Sequence, residues 1–323
     1  MQSESRGYKL LLGNILVLTI FYLGVDFVLR RWQITTEQVL LWGWGGSVIL
    51  LMPFFVFRKK SFQCVKQELK HSGKLLTVLA LITVIANLFF IWGMSLSGSG
   101  PAVLLENMQP VFALLLGVCF LAEQLTFRES IAALLMFGGV LLIGTLKGEV
   151  PLSSALAITF SSFLFAAHSF LIKRHGQNMK TIYFAFLRGC MTAFLILIGV
   201  VVMKKLQMIP FPALLILAVV YTFGILVSRY LFFEAHKHLP ISKINLSLLL
   251  QPVTVVIGAW LIFGDPISLQ KIIGATLILG GGYLFAKSKK KELRKTPQEC
   301  GEFRLCFTSP SINKGFKPLV GGK

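Results

Sequence analysis

The chain has 323 residues, of which 55% are hydrophobic and only 14% charged, with a mean hydropathy of +0.77. A soluble domain carries about 25% charged residues, so water is not the main solvent, and a disordered chain or a disulfide-stapled secreted module is excluded. The net charge of +19 does not point to nucleic acid, because the basic residues cluster between apolar runs, where membrane proteins keep their cytoplasmic lysines and arginines.

Windows of about 19 residues predict ten membrane spans, at 8–29, 36–57, 75–95, 101–122, 129–146, 152–172, 181–203, 211–235, 241–263 and 268–286. In hydrocarbon every backbone group must be satisfied within its own segment, so spans of this length are helices. Barrel strands alternate in segments of about ten residues, and these runs do not. No cleavable signal peptide is evident, and the first span is itself long enough to cross about 30 Å of hydrocarbon. The fold class expected is an all-α polytopic membrane protein.

The first span carries Asp26, four residues from Arg30 near the outer boundary, which reads as an i,i+4 pair. Next comes a basic stretch from Arg58 to Lys74. Counting basic residues with the N-terminus inside gives a bias of about three to one for the cytoplasmic segments, and both termini fall in the cytoplasm. Trp32 and Trp42 suit an interfacial belt.

The fourth span reads Leu105-Glu106-Asn107-Met108-Gln109-Pro110. A charged side chain inside a span costs about 3 kcal/mol unless it is paired or faces water. Gln109 is i+3 from Glu106, and Pro110 both lacks an amide and crowds the carbonyl of residue 106. A carboxylate, a carboxamide and a freed carbonyl therefore converge on one patch. Glu106 is either a substrate or proton site, or a glutamate satisfied by a neighbouring helix. Glu123, at the next corner, reads as a helix cap with Thr126.

His168 in the sixth span reads as hydrogen-bonded structure. Arg188 in the seventh and Arg229 in the eighth are either fixed positive charges for an anionic group or side chains that snorkel to the inner interface. Gln251 and Pro252 lie within the ninth span, and Asp265 with Ser268 repeats the capping pattern. Gly138-Gly139 and Gly280-Gly281-Gly282 let helices approach closely. Residues 291–323 read as a disordered cytoplasmic tail. The five cysteines form no framework and read as reduced.

The chain also repeats. A shift of 142 aligns Leu104–Leu142 with Leu246–Leu284, with ten of 39 pairs identical, including Gln109/Gln251, Pro110/Pro252, Gly138/Gly280 and Gly139/Gly281. A unit of five helices is odd, so its second copy enters the membrane from the opposite side. Such inverted repeats place a substrate site where the halves meet.

On these features the chain resembles the drug/metabolite transporter superfamily, and within it the EamA-type ten-helix permeases. The resemblance is carried by Pro110 with Ala122-Glu123-Gln124-Leu125-Thr126, and by Pro252 with Gly264-Asp265-Pro266-Ile267-Ser268; Ala122 stands where a glycine is usual. It implies two inverted five-helix repeats, 1–147 and 148–290, and the activity of a secondary transporter for a small metabolite. One acid and two arginines favour a zwitterion such as an amino acid over a neutral sugar.

The expected site is Glu106, Asn107, Gln109, Arg188, Arg229 and Gln251, with helix breaks at Pro110 and Pro252. The expected partners are the substrate, the bilayer and, as options, a coupling proton and a second copy in a homodimer; no cofactor or metal is expected. Competing readings are an intramembrane enzyme and a receptor or scaffold. The first would need a nucleophile with a base, or HExxH ligands, and the chain shows neither. No phosphate-binding P-loop occurs, which excludes a self-contained ATP-driven pump. Compact loops point to a bacterial inner membrane.

Overall fold

The structure, a computed structural model, describes residues 2–56, 59–121, 127–144, 150–175, 181–236, 238 and 250–295. The helices among them are α1 (Gln2–Trp32), α2 (Thr36–Val56), α3 (Lys59–Ser97), α4 (Ser99–Glu106), α5 (Gln109–Leu121) and α6 (Phe127–Gly144). They continue with α7 (Leu152–His175), α8 (Thr181–Val202), α9 (Phe211–Thr222), a π-helical turn at Phe223–Val227, α10 (Ser228–His236), α11 (Leu250–Phe263) and α12 (Leu269–Lys295). Within the described residues five segments are long and apolar enough to cross a membrane, in α1, α2, α3, α7 and α8. Shorter apolar helices lie in α6, α9, α11 and α12.

The outward side of the bundle is apolar. On α1, Leu12, Leu16 and Ile20 are 54 to 60% exposed, while Leu11 and Ile15 beside them are buried. Successive turns of exposed aliphatic side chains suit lipid and would be costly in water.

Three expectations change. The fourth span is two helices, because α4 stops at Glu106 and α5 starts at Gln109. The proline explains the break. Its missing amide costs nothing in the first turn of a new helix, and a restart there removes the clash with the carbonyl at 106. The last amides of α4 tighten instead, Asn107 N donating to Leu104 O at 3.2 Å and Met108 N to Leu105 O at 3.1 Å.

The eighth span is interrupted by the π-helical turn, in which Gly224 lies against the Phe21 ring. Residues 291–295, assigned to the tail, extend α12 as helix. The rest of the expected tail, the start of the ninth span at 241–249 and the corner at 122–126 with Glu123 lie outside the described residues.

The two halves pack reciprocally. α3 lies against α7 and α8 as α9 and α10 lie against α1 and α2; α5 meets α7 as α11 meets α1. The crossing of α6 and α12 shows the symmetry residue by residue. A Cβ on Gly139 would come 2.7 Å from the Gly274 carbonyl oxygen and 2.8 Å from Ile278. One on Gly281 would come 2.7 Å from the Ala132 carbonyl oxygen and 2.7 Å from Met136.

The two sets exchange under the shift of 142, since 281, 274 and 278 correspond to 139, 132 and 136. Because 139 meets the mate of 132, and 132 the mate of 139, the helices run antiparallel. The two-fold axis relating them is therefore perpendicular to both, in the plane of the membrane. The fold is an all-α polytopic bundle of two inverted repeats.

Candidate functional site

α1 carries polar side chains toward its neighbours at Asn14, Thr19, Tyr22, Asp26 and Arg30. Thr19, Tyr22, Asp26 and Arg30 follow one another at about one turn on the same side, and Asn14 lies five residues before Thr19 on an adjoining face. Three of these side chains bond the second half. Asn14 Oδ1 accepts from Ser228 Oγ at 2.8 Å, Thr19 Oγ1 lies 2.7 Å from Thr254 Oγ1, and Arg30 Nη1 donates to Asp265 Oδ1 at 2.7 Å. The other two bond α4 of the same half. Tyr22 OH donates to Glu106 Oε2 at 2.8 Å, and Ser99 N donates to Asp26 Oδ2 at 2.8 Å. α1 is thus the seam along which the halves meet.

Glu106 is the last residue of α4, half-buried, directly at the helix break. The Tyr22 hydroxyl fixes its carboxylate, and Phe21 and Phe90 pack edge-on against the Tyr22 ring. Such a group can hold a cation or take up and release a proton. The break parts it from Gln109, which begins α5 and donates Nε2 to Ser169 Oγ on α7 at 3.4 Å. The expected same-face patch is therefore split between two helices, because the i+3 relation needs a continuous helix. Asn107 sits in the break and returns Nδ2 to Val103 O at 2.8 Å. Pro110 falls in the first turn of α5, and its side chain is outside the described set.

In the second half, Gln251 and Pro252 fall in the first turn of α11. Pro252 is buried, and the Gln251 carbonyl accepts from Thr254 Oγ1 at 2.8 Å. Arg188 does not snorkel. It is only 9% exposed, and its Nη1 lies 2.8 Å from Nε2 of His168, itself 6% exposed. Arginine has donors only, so Nε2 accepts and the ring proton of a neutral His168 sits on Nδ1. This pair belongs to α7 and α8, whereas Glu106 is bound from α1. Arg229 is the second residue of α10, two residues beyond the π-helical turn, and its side chain is outside the described set.

The Asp26–Arg30 pair forms as the spacing predicts, at 2.9 Å, yet Asp26 is 1% exposed and so lies inside the bundle. Asp265 does not cap the following helix. It takes Arg30 on both carboxylate oxygens, while the Lys271 amide reaches Ser268 Oγ at 3.4 Å. Sequence reasoning missed Asn14, Thr19, Tyr22, Ser228 and Thr254. They are uncharged, and their partners lie up to 235 residues away. The only signal was the polar spacing on α1.

Comparison with known proteins finds similarity over most of the chain. The model of the EamA-like transporter family matches residues 5–145 and again 152–286. An uncharacterized transporter of Methanothermobacter thermautotrophicus is 24% identical over 290 residues, covering 84% of each chain. The uncharacterized transporter YojE of Bacillus subtilis is 26% identical over 254 residues, 77% of this chain and 83% of that one. A solved crystal structure shares the fold with a TM-score of 0.58 at 15% identity, over 93% of this chain and 99% of the other.

Proposed function

This chain belongs to the EamA-like transporter family, and on that premise we propose that it is a secondary transporter that moves a small zwitterionic metabolite, such as an amino acid, by alternating access. The observation that carries the reading is the half-buried Glu106 at the end of a broken helix, held by Tyr22 on the seam between the halves. Discontinuous helices at a repeat interface are where carriers of this kind place their sites.

The substrate ammonium pairs with Glu106, and Gln109, Asn107 and Gln251 supply neutral hydrogen bonds. Arg188, oriented by His168, and Arg229 supply positive charge for a carboxylate. The halves are 1–147 and 148–290, both termini face the cytoplasm of a bacterial inner membrane, and the assembly is a homodimer. A proton taken up on Glu106 is the coupling ion.

The test is flux of an amino-acid panel into proteoliposomes without ATP, comparing wild type with Glu106→Gln. The amide keeps an oxygen for Tyr22 and removes the charge, so a structural role tolerates it. The reading predicts at least a tenfold fall in flux, equivalent to about 1.4 kcal/mol, at unchanged abundance and melting temperature. Wild-type flux and pH profile in the variant would return Glu106 to a structural role.

A further inference from the structure

We infer that Arg30 and Asp265 form a latch that closes the seam between the halves at the end where α1 finishes, and that parting them is a step of the transport cycle. The inference rests on the alternating-access reading above. The guanidinium is held by two carboxylates at once. It donates Nη1 and Nη2 to the two oxygens of Asp265 at 2.7 and 2.8 Å, and Nε and Nη2 to those of Asp26 at 2.9 and 3.1 Å. Its face lies 4.4 Å from the centre of the Phe263 ring.

The two sides of this cluster differ. On the first half, Asp26 is buried and also accepts the Ser99 amide at the start of α4, which fixes Arg30 to its own half. The turn between α3 and α4 comes up against the guanidinium at Gly98, whose φ is +80°; a Cβ there would meet Arg30 Nη2 at 2.5 Å and Asp265 Oδ2 at 3.3 Å. On the second half, Asp265 is 25% exposed and sits in the short 264–268 linker, beside Gly264 with φ +71°. The bond that can open is therefore the one between the halves, Arg30 to Asp265.

A second clasp stands at the same end. Lys205 Nζ meets Glu37 Oε1 at 2.7 Å, Gln38 Nε2 donates to Gln207 Oε1 at 2.8 Å, and Trp42 Nε1 donates to the Gln207 carbonyl at 3.1 Å. All three join the start of α2 to the loop after α8. Partly exposed ion pairs are individually weak, which suits a contact broken in every cycle; a fully buried pair would be too costly to part. Beneath the latch, Asp26 and Tyr22 follow on α1 at one-turn intervals and lead to Glu106, so opening it admits water and solute to the proposed site.

The test uses the full chain with its native cysteines replaced and Thr254→Cys as reporter, reconstituted in vesicles and labelled with a water-soluble maleimide. Asp265→Asn leaves the Arg30–Asp26 pair intact and should speed labelling about tenfold. Asp265→Arg, which sets two guanidinium groups against each other, should speed it further, and Asp265→Glu should label at the parent rate. Equal labelling in all four proteins, with melting temperatures unchanged, would overturn the latch. The readout needs no substrate. A protein that transports nothing yet keeps this labelling order refutes the transport reading and leaves the latch standing.

Discussion

Two of the contacts between the halves are built differently. At the crossing of α6 and α12 glycines pack against backbone and against the Ile278 and Met136 side chains, and the contact obeys the two-fold rule residue by residue. Along α1 apolar packing, with Leu23 against Gly258 and Val220 against Gly24, is joined by the polar stripe, and there the symmetry fails. The positions 142 residues beyond Tyr22 and Arg30 are Leu164 and Ile172, and the position matching Glu106 is Leu248. The duplicated scaffold is thus symmetric where it only has to hold together. It is asymmetric where charge and hydrogen bonds are placed. Close backbone packing has one good geometry and resists sliding, whereas side-chain hydrogen bonds can be exchanged for water as a seam opens.

The sharpest way to break this contrast is to overfill the glycine crossing. Gly139→Val and Gly281→Val should each destabilise by about 3 kcal/mol, the upper end for overpacking. The two losses should be equal within error, because each new side chain meets a backbone carbonyl at 2.7 Å. Gly138→Ala and Gly280→Ala, where a Cβ meets nothing within 4 Å, should be neutral or stabilise by about 0.5 kcal/mol. Thermal melts in detergent check all four. A large asymmetry between Gly139 and Gly281 would refute the two-fold crossing.

On the seam, Tyr22→Phe removes the hydroxyl that fixes Glu106 and should lower flux about fivefold, equivalent to about 1 kcal/mol, with little change in melting temperature. The smallest effect is expected at Ser161→Ala. That hydroxyl donates to the Ala86 carbonyl at 2.8 Å, between α7 and α3 inside the contact. Interhelical hydrogen bonds in bilayers average about 0.6 kcal/mol, and flux should not move.

The fold was largely legible because hydropathy reports which segments must lie in lipid, and a gap-free register of 142 across Gln-Pro and Gly-Gly pairs reports the duplication. Local pairs were legible too: Asp26 and Arg30 are one turn apart and bond as their spacing requires. Pro110 announced a disturbance in the fourth span, but not that the helix would stop and restart around Asn107 and Met108.

The long-range partners were hidden. Nothing in the neighbourhood of Asp265 distinguishes a cap from an ion pair with a residue 235 positions earlier. Arg188 could not be told from a snorkelling side chain until His168 was placed beside it. Uncharged residues such as Thr19, Tyr22 and Thr254 carry no cost that singles them out in an apolar span, so the seam shows only in the folded bundle.

The central claim, that α1 is the moving seam and the α6–α12 crossing the fixed one, is tested most directly by cross-linking in a background without native cysteines. Thr19 and Thr254 have hydroxyls 2.7 Å apart, so Thr19→Cys with Thr254→Cys can be oxidised across the seam. Met136→Cys with Ile278→Cys places a pair at the symmetric crossing. The account predicts that the first disulfide stops flux and that a reductant restores it, while the second leaves flux unchanged. Undiminished flux with the Thr19–Thr254 pair fully cross-linked would contradict it.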